Sequence, residues 1–115
     1  MKKRLVILGA GESGVGTALL AKQKGYDVFV SDGSPIKEHY KMELQLNKIE
    51  FEETQHSTER ILQADEVMKS PGIPEKVPLV KKIREKNIPV ISEIELAYRF
   101  KGNSKIIAVT GSNGK

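Results

Sequence analysis

The fold can be predicted from residues near the amino terminus, Leu5-Val6-Ile7-Leu8-Gly9-Ala10-Gly11-Glu12-Ser13-Gly14. The apolar run at the start of this stretch predicts a strand that is buried on both faces, as in a parallel sheet. The G-x-G-x-x-G pattern that follows is typical of the turn between such a strand and a helix, because glycines let the backbone turn tightly and approach a ligand. We therefore predict a βα unit whose helix presents its amino end to a phosphate.

Beyond this unit, short apolar runs rich in β-formers alternate with patterns of helical periodicity, which is typical of a mainly parallel sheet with helices on both faces. The pattern predicts further strands at residues 28–30, 49–52, 66–69 and 90–91, and helices at residues 13–23, 37–47, 57–62, 78–86 and 93–98. Gly25 is expected to end the first helix, and Ser57 to cap the third. The predicted fold class is α/β, with a Rossmann-like parallel sheet of five strands.

A linker is predicted at residues 101–104, so that residues 1–100 form one domain and residues 105–115 begin a second. The second domain would open with a strand at residues 106–109 that leads into Gly111-Ser112-Asn113-Gly114-Lys115. This segment is similar to a phosphate-binding loop, although Val109 stands where the first glycine of the Walker pattern would be. Such a loop normally continues into Ser or Thr and a helix, so we expect the chain to be part of a longer protein.

Composition argues against several classes of function. The chain has no cysteine, which excludes disulfides, thiolate metal sites and a cysteine nucleophile. Its net charge is +4, but basic residues alternate with acidic ones and Trp is absent, so a nucleic-acid partner is not expected. No export signal or membrane span is predicted, and we expect a cytoplasmic location without a membrane partner.

The histidines and paired glutamates do not predict a metal or acid–base site. His39 and His56 each lack a second ligand at helical or loop spacing, so both are expected to be surface or capping residues. Glu93 and Glu95 lie two positions apart on a predicted helix and therefore on different faces. A structural role is expected for both glutamates.

Three loops are predicted to meet at the carboxyl edge of the sheet, where such folds bind ligands. The first is the glycine loop at residues 9–14. The second contains Asp32, about 20 residues further on, whose carboxylate could accept hydrogen bonds from ribose hydroxyls. The third is Ser70-Pro71-Gly72-Ile73-Pro74. The structural alternative is that the glycines only allow close packing, that Asp32 caps a turn, and that the third loop is a rigid turn.

Taken together, these segments resemble the Mur ligases of peptidoglycan synthesis, and the resemblance spans essentially the whole chain. It rests on Leu8-Gly9-Ala10-Gly11-Glu12-Ser13-Gly14, Val30-Ser31-Asp32-Gly33, Lys69-Ser70-Pro71-Gly72-Ile73-Pro74, Ile91-Ser92-Glu93-Ile94-Glu95-Leu96-Ala97 and Ala108-Val109-Thr110-Gly111-Ser112-Asn113-Gly114-Lys115. The resemblance implies an enzyme of three domains. The first would hold a uridine nucleotide, the second would be an ATPase, and the third would bring the amino acid.

The resemblance also implies roles for individual residues. The residues that would bind the uridine diphosphate moiety are Gly11, Glu12, Ser13, Gly14, Asp32, Gly33, Ser34, Ser70, Pro71 and Gly72. Those that would bind ATP are Gly111, Ser112, Asn113, Gly114 and Lys115, with Lys115 as the catalytic residue. The chain departs from the family at two positions, because Ser34 stands where some relatives have arginine and Glu12 replaces a common apolar residue.

The implied reaction is ATP-dependent amide formation through an acyl phosphate, adding D-glutamate to UDP-N-acetylmuramoyl-L-alanine. ATP and Mg²⁺ are the implied cofactors, and the metal ligands are expected outside this chain. We expect a bacterial, monomeric enzyme, and we expect this chain by itself to have no ligase activity.

Two other hypotheses remain open. The glycine fingerprint and Asp32 also fit an NAD- or FAD-binding domain of an oxidoreductase or a nucleotide sensor. A binding module without chemistry of its own would carry the same pattern. The Ser-Pro-Gly loop and the second phosphate loop favour the ligase, and Ser or Thr directly after Lys115 would support an ATPase.

Overall fold

The computed structural model describes residues 3–70, 73–74 and 76–101. Within these residues the strands are β1 (Arg4–Leu8), β2 (Asp27–Ser31), β3 (Glu50–Glu52), β4 (Glu66–Lys69) and β5 (Val90–Ser92). The helices are α1 (Glu12–Gln23), α2 (Glu38–Leu46), α3 (Thr58–Ile61), α4 (Pro78–Glu85) and α5 (Glu93–Lys101). Each strand and helix predicted in this part of the chain is present, and α5 extends three residues beyond its predicted end. Residues 102–115, which contain most of the predicted linker and the predicted second domain, lie outside the described residues.

The strands form one parallel sheet in the order β3-β2-β1-β4-β5. The chain builds the sheet outward from β1 to β3 and then returns to the other side of β1 with β4. This reversal places a topological switch point between β1 and β4, and open α/β sheets bind ligands at the carboxyl ends of the strands there. The predicted α/β fold with a parallel sheet of five strands is confirmed.

The apolar run of β1 is buried because helices cover both faces of the sheet. Leu5 and Ile7 pack in one core with residues of α1, α2 and α5. Val6 and Leu8 point to the opposite core, which contains residues of α3 and α4. All four side chains are fully buried. Burial on both faces therefore explains why β1 has no polar residue after Arg4.

The helices that precede β2, β3 and β5 all end in the same way. A residue in the left-handed region follows each of them, namely Gly25 (φ +92°), Lys48 (φ +58°) and Asn87 (φ +62°). The N–H of the next residue then donates to a carbonyl five positions earlier; the donors are Tyr26, Ile49 and Ile88. This is the Schellman arrangement, which satisfies the last carbonyls of a helix and turns the chain toward the next strand. The predicted role of Gly25 is confirmed.

Ser57 occupies the amino-terminal cap position of α3, but its hydroxyl does not cap the helix. The hydroxyl and the backbone N–H of Ser57 both donate instead to the carboxylate of Glu52, at 2.5 and 2.6 Å. Through these two charge-assisted hydrogen bonds, the end of β3 holds the start of the short helix. The predicted capping by the Ser57 side chain is therefore wrong.

A charged contact attaches helix α5 to the start of β4, at the amino edge of the sheet. The carboxylate of Glu66, at the start of β4, is buried and accepts a hydrogen bond of 2.7 Å from the Arg99 guanidinium. The Lys3 ammonium lies 3.7 Å from the same oxygen. The bond to Glu66 and a further one to Tyr26 raise the pKa of Arg99 above its ordinary value.

None of the helices in the described part of the chain has the length and apolar character needed to span a lipid bilayer.

Candidate functional site

A crevice of about 580 Å³ lies at the carboxyl edge of the sheet. Its walls come from the loops that follow β1, β2 and β4, so the structure brings the three loops singled out in the sequence to one place. The predicted site residues that line it are Gly11, Asp32, Gly33, Ser34 and Ser70. The wall on the side of α4 is apolar and is formed by Ile73, Pro74, Val77, Pro78 and Leu79. The crevice thus pairs a polar wall with an apolar one.

Asp32 connects the first two loops. One carboxylate oxygen accepts a hydrogen bond of 2.8 Å from the Ala10 N–H, and the other accepts one of 2.8 Å from the Ser34 N–H. Each carboxylate oxygen can accept more than one hydrogen bond, so these contacts leave acceptor capacity for a ligand. Asp32 therefore closes its own turn, as the structural alternative proposed, and also holds the glycine loop against β2.

Gly14 allows helix α1 to pack closely on the glycine loop. A β-carbon at this position would lie 2.0 Å from the carbonyl oxygen of Gly9, so no other residue fits without moving the backbone. Glu12 and Ser13 are exposed in the first turn of α1, directly after Gly11, and do not line the crevice. The first N–H groups of an α-helix have no partner within the helix, and no side chain of the N-cap residue Gly11 caps those of α1.

The described lining of the crevice contains no lysine or arginine, and Asp32 gives it a negative charge. Ser34, at the position where the resemblance led us to compare an arginine, contributes a neutral hydroxyl to the lining. An anionic ligand would therefore depend on backbone N–H groups, such as those in the first turn of α1, for its electrostatic stabilisation.

A group that sequence reasoning missed lies behind the polar wall. The hydroxyl of Ser31, which is fully buried, lies 2.7 Å from a carboxylate oxygen of Glu52 and 2.7 Å from Nδ1 of His56. The imidazole of His56 lines the crevice beside Gly33, where a β-carbon would stand only 3.2 Å from Nε2. His56 is thus a crevice residue, which corrects the expectation that it is a surface or capping histidine.

Burial by itself would raise the pKa of Glu52. The hydrogen bonds from the Ser57 backbone, the Ser57 hydroxyl and the Ser31 hydroxyl, together with nearby His56, outweigh burial, so the pKa of Glu52 lies below its ordinary value. At neutral pH Glu52 is therefore a carboxylate that can only accept hydrogen bonds.

The described surface has other cavities, and one of about 490 Å³ lies between α3 and the end of α4, away from the predicted site residues. A second cavity of about 440 Å³ lies at the ends of β4 and β5, and none of the predicted site residues lines it. Among the described residues, no group of three or more His, Asp or Glu side chains is arranged to hold a metal ion.

Comparison with known proteins agrees with this geometry. Residues 4–77 match the family model described as the MurD N-terminal domain, and this range includes all three loops of the crevice. This chain belongs to the MurD N-terminal domain family. The resemblance to Mur ligases noted in the sequence is thereby confirmed.

Members of the MurD family are also found among curated relatives. The UDP-N-acetylmuramoylalanine–D-glutamate ligase of Cytophaga hutchinsonii is 60% identical over 116 residues, which cover 100% of this chain and 26% of that protein. The ligase of the same name from Bacteroides fragilis is 58% identical over 113 residues, covering 98% of this chain and 25% of that protein. The chain therefore spans only 25–26% of the length of these relatives.

Solved structures share the fold of this MurD-family domain. A pseudomurein peptide ligase type C from Methanothermus fervidus superposes with a TM-score of 0.74 at 24% identity, over 90% of this chain and 21% of that one. The UDP-N-acetylmuramate-alanine ligase MurC from Thermotoga maritima gives a TM-score of 0.71 at 20% identity, over 86% of this chain and 22% of that one. At these identities the similarity concerns the fold.

Several site residues predicted from the MurD-like motifs cannot be placed. Pro71 and Gly72 of the third loop lie outside the described residues, and so do Gly111, Ser112, Asn113, Gly114 and Lys115. His56 had no sequence signal of its own. The pairing of Ser31 with Glu52 in neighbouring parallel strands was the available signal, because it puts two polar side chains at the same end of β2 and β3.

Proposed function

We propose that this chain is the uridine-nucleotide-binding part of an ATP-dependent ligase that adds D-glutamate to UDP-N-acetylmuramoyl-L-alanine. The observation that carries the proposal is the crevice at the switch point of the sheet, built by three loops in a chain that belongs to the MurD N-terminal domain family. The relatives at 58–60% identity bear the name of that ligase.

The two walls of the crevice suit a nucleoside. A flat base can pack on the apolar side, against side chains such as Ile73 and Leu79, while ribose hydroxyls face Asp32 and Ser34. This combination of apolar surface with a few convergent polar groups is typical of small-molecule sites. The diphosphate would extend toward the first turn of α1, where Glu12, Ser13 and Gly14 offer backbone N–H groups.

The proposed reaction of the whole protein proceeds in two steps. The terminal carboxylate of UDP-N-acetylmuramoyl-L-alanine attacks the γ-phosphorus of ATP, which yields an acyl phosphate and ADP. The amine of D-glutamate then attacks the acyl carbon, so that an amide forms while phosphate leaves and the amine gives up a proton. Lys115 and Mg²⁺ are proposed to offset charge on the transferring phosphoryl group.

The arrangement of domains that we propose is the one predicted from the sequence. Residues 1–100 would bind the uridine nucleotide, residues 101–104 would connect, and residues 105–115 would begin an ATPase domain that binds ATP through residues 111–115. The proposed protein is a monomer that acts in the bacterial cytoplasm.

The test is an amide-shift titration of this chain with UMP, NAD and ATP in parallel, at millimolar ligand because a lone domain binds weakly. We expect UMP to shift the amides of Ser13, Asp32 and Ser70 together. The amides of Gly25 and Asn87, at the opposite edge of the sheet, are the internal control. If NAD shifts the crevice amides and UMP does not, the chain is a nicotinamide- or flavin-nucleotide domain and the proposal fails.

A further inference from the structure

The contacts behind the polar wall determine where the protons of His56 lie. Glu52 accepts hydrogen bonds from the Ser57 N–H, the Ser57 hydroxyl and the Ser31 hydroxyl. The Ser31 hydroxyl has two acceptor oxygens within reach, a Glu52 carboxylate oxygen at 2.7 Å and the Gln55 carbonyl oxygen at 3.3 Å. Its single proton must point at Glu52, because two oxygens 2.7 Å apart without a proton between them would repel each other, whereas 3.3 Å is long for a hydroxyl hydrogen bond. Ser31 is fully buried, so no water competes with Glu52 for this proton.

With its proton directed at Glu52, the Ser31 oxygen can only accept from His56. The distance of 2.7 Å between Nδ1 and this oxygen therefore requires a proton on Nδ1. A neutral imidazole carries one N–H, so Nε2 of His56 has none and presents a lone pair. Among the described residues no hydrogen bond to Nε2 is found, and the ring lines the crevice next to Gly33.

We propose that Nε2 of His56 is a fixed hydrogen-bond acceptor of the crevice and receives an N–H or O–H of the bound nucleoside. The relay from Glu52 through Ser31 holds the imidazole in the tautomer that leaves Nε2 unprotonated. Asp32 on the same wall is also an acceptor, so the wall selects ligands that bring donors, such as the N–H of a uracil ring or the hydroxyls of ribose. The nature of the ligand rests on the proposed function, whereas the tautomer does not.

The tautomer can be measured without any ligand. Long-range proton–nitrogen correlation spectra distinguish the two nitrogens of each imidazole, and the chain contains only His39 and His56. At a pH of about 8, where ordinary imidazoles are neutral, we expect His56 to be protonated on Nδ1 only. Exposed His39 should show a mixture of tautomers. Ser31→Ala should return His56 to such a mixture, while a proton on Nε2 of the unaltered chain would overturn the proposal.

Binding is tested with a pair of substitutions that separate the two nitrogens. The amide of His56→Asn can reach the Nδ1 position and keep the bond to Ser31, but it lacks the Nε2 acceptor. The longer His56→Gln reaches the Nε2 position instead. We expect UMP to bind about tenfold more weakly to His56→Asn and within about threefold of the original affinity to His56→Gln. His39→Asn is the matched control and should bind UMP unchanged.

Ligand analogues identify the donor. The weakening by His56→Asn should disappear for UMP methylated on the ring N–H, for 2′-deoxy-UMP or for 3′-deoxy-UMP, depending on which group donates to Nε2. If the unaltered chain binds UMP at the crevice and His56→Asn binds it equally well, this inference fails while the proposed function stands. If the unaltered chain does not bind UMP at all, the proposed function itself fails.

A measurement on the unaltered chain covers the case in which the variants do not fold. A hydrogen bond to Nε2 changes the nitrogen shift of that atom, so saturating UMP should move the Nε2 signal of His56 and leave that of His39 in place. A stationary Nε2 signal in a chain whose crevice amides respond to UMP would overturn the proposal.

Discussion

At the scale of single residues, the carboxylate of Glu52 connects β3 to β2 and to the start of α3. This carboxylate accepts hydrogen bonds from Ser31 and Ser57. The Ser31 hydroxyl is in turn hydrogen-bonded to His56 on the crevice wall. Charge-assisted hydrogen bonds of this kind are stronger than neutral ones. The position of the polar wall therefore depends on the ionised form of one side chain, Glu52, which does not itself line the crevice.

This dependence predicts how stability changes with pH. The pKa of Glu52 is lower in the folded chain than its ordinary value of 4.5, so its contribution is fully present above about pH 4.5 and is lost as the pH falls through the folded value. We expect Glu52→Gln to lower the free energy of unfolding at neutral pH by about 1–2 kcal/mol. Urea unfolding between neutral pH and pH ~3 should show that this variant loses less stability on acidification.

Some acid sensitivity will remain in Glu52→Gln, because hydrogen bonds from the Ile36 N–H and the Lys41 ammonium also lower the pKa of Glu53. Glu59→Gln, which changes an exposed carboxyl on α3, is the matched control and should follow the unaltered chain. Parallel stability curves for Glu52→Gln and the unaltered chain below pH ~4.5 would contradict the prediction.

At the scale of elements, α1, α2 and α4 each end in a Schellman arrangement. This arrangement sets the direction of the chain between the helix and the strand that follows it. Glycine occupies the left-handed position after α1, but Lys48 and Asn87 occupy it after α2 and α4. A side chain with a β-carbon is strained in this conformation by about 1–2 kcal/mol, and asparagine is strained less than lysine. Gly25 could be predicted from its residue type, whereas no local preference indicated Lys48.

Replacing the strained lysine should stabilise the fold. We expect Lys48→Gly to raise the free energy of unfolding by about 0.5–1 kcal/mol, since relief of strain exceeds the entropy cost of glycine in the unfolded chain. Lys48 is exposed, so no packing is lost. Urea unfolding gives the value, and Asn87→Gly, as the comparison, should gain less. A lower stability of Lys48→Gly would show that the left-handed residue after α2 is not strained.

At the scale of the whole molecule, the contact between Glu66 and Arg99 joins elements that are 33 residues apart in the chain. The Glu66 side chain is 8% exposed and that of Arg99 40%, so removal of the arginine leaves a buried carboxylate whose remaining ion-pair partner among the described residues, the Lys3 ammonium, lies 3.7 Å away. This contact holds α5 at the edge of the sheet opposite the crevice, and Leu96 of the same helix packs in the core beneath it.

We expect Arg99→Met to lower the free energy of unfolding by about 1–3 kcal/mol, which is less than for a fully buried pair because Arg99 is partly exposed. The double variant Arg99→Met with Glu66→Gln should recover part of the loss, since the buried charge is gone. Lys82→Met, which removes an exposed cation from α4, should change stability little. A double-mutant cycle with no coupling between Arg99 and Glu66 would contradict the prediction.

Much of the fold could be predicted because its signals are local. The apolar run of β1, the glycines after it and the periodicity of the helices each involve residues within a few positions of one another. Parallel strands all end at the same edge of a sheet, so the meeting of the loops after β1, β2 and β4 also followed from the order of elements. The glycine loop was predictable, although Gly14 turned out to serve packing against Gly9 rather than to line the crevice.

What local patterns could not supply are contacts that depend on the register and packing of distant elements. Ser31 meets Glu52 only because β2 and β3 pair in one particular register, and this pairing brings the β3–α3 loop with His56 to the side of Gly33. The hydrogen bond between Arg99 and Glu66 likewise depends on the packing of α5 against the sheet. Secondary structure, the parallel sheet and the place of the crevice were thus inherent in the chain, whereas the hydrogen-bonding character of the crevice wall arose when the packed strands set the distances between polar atoms.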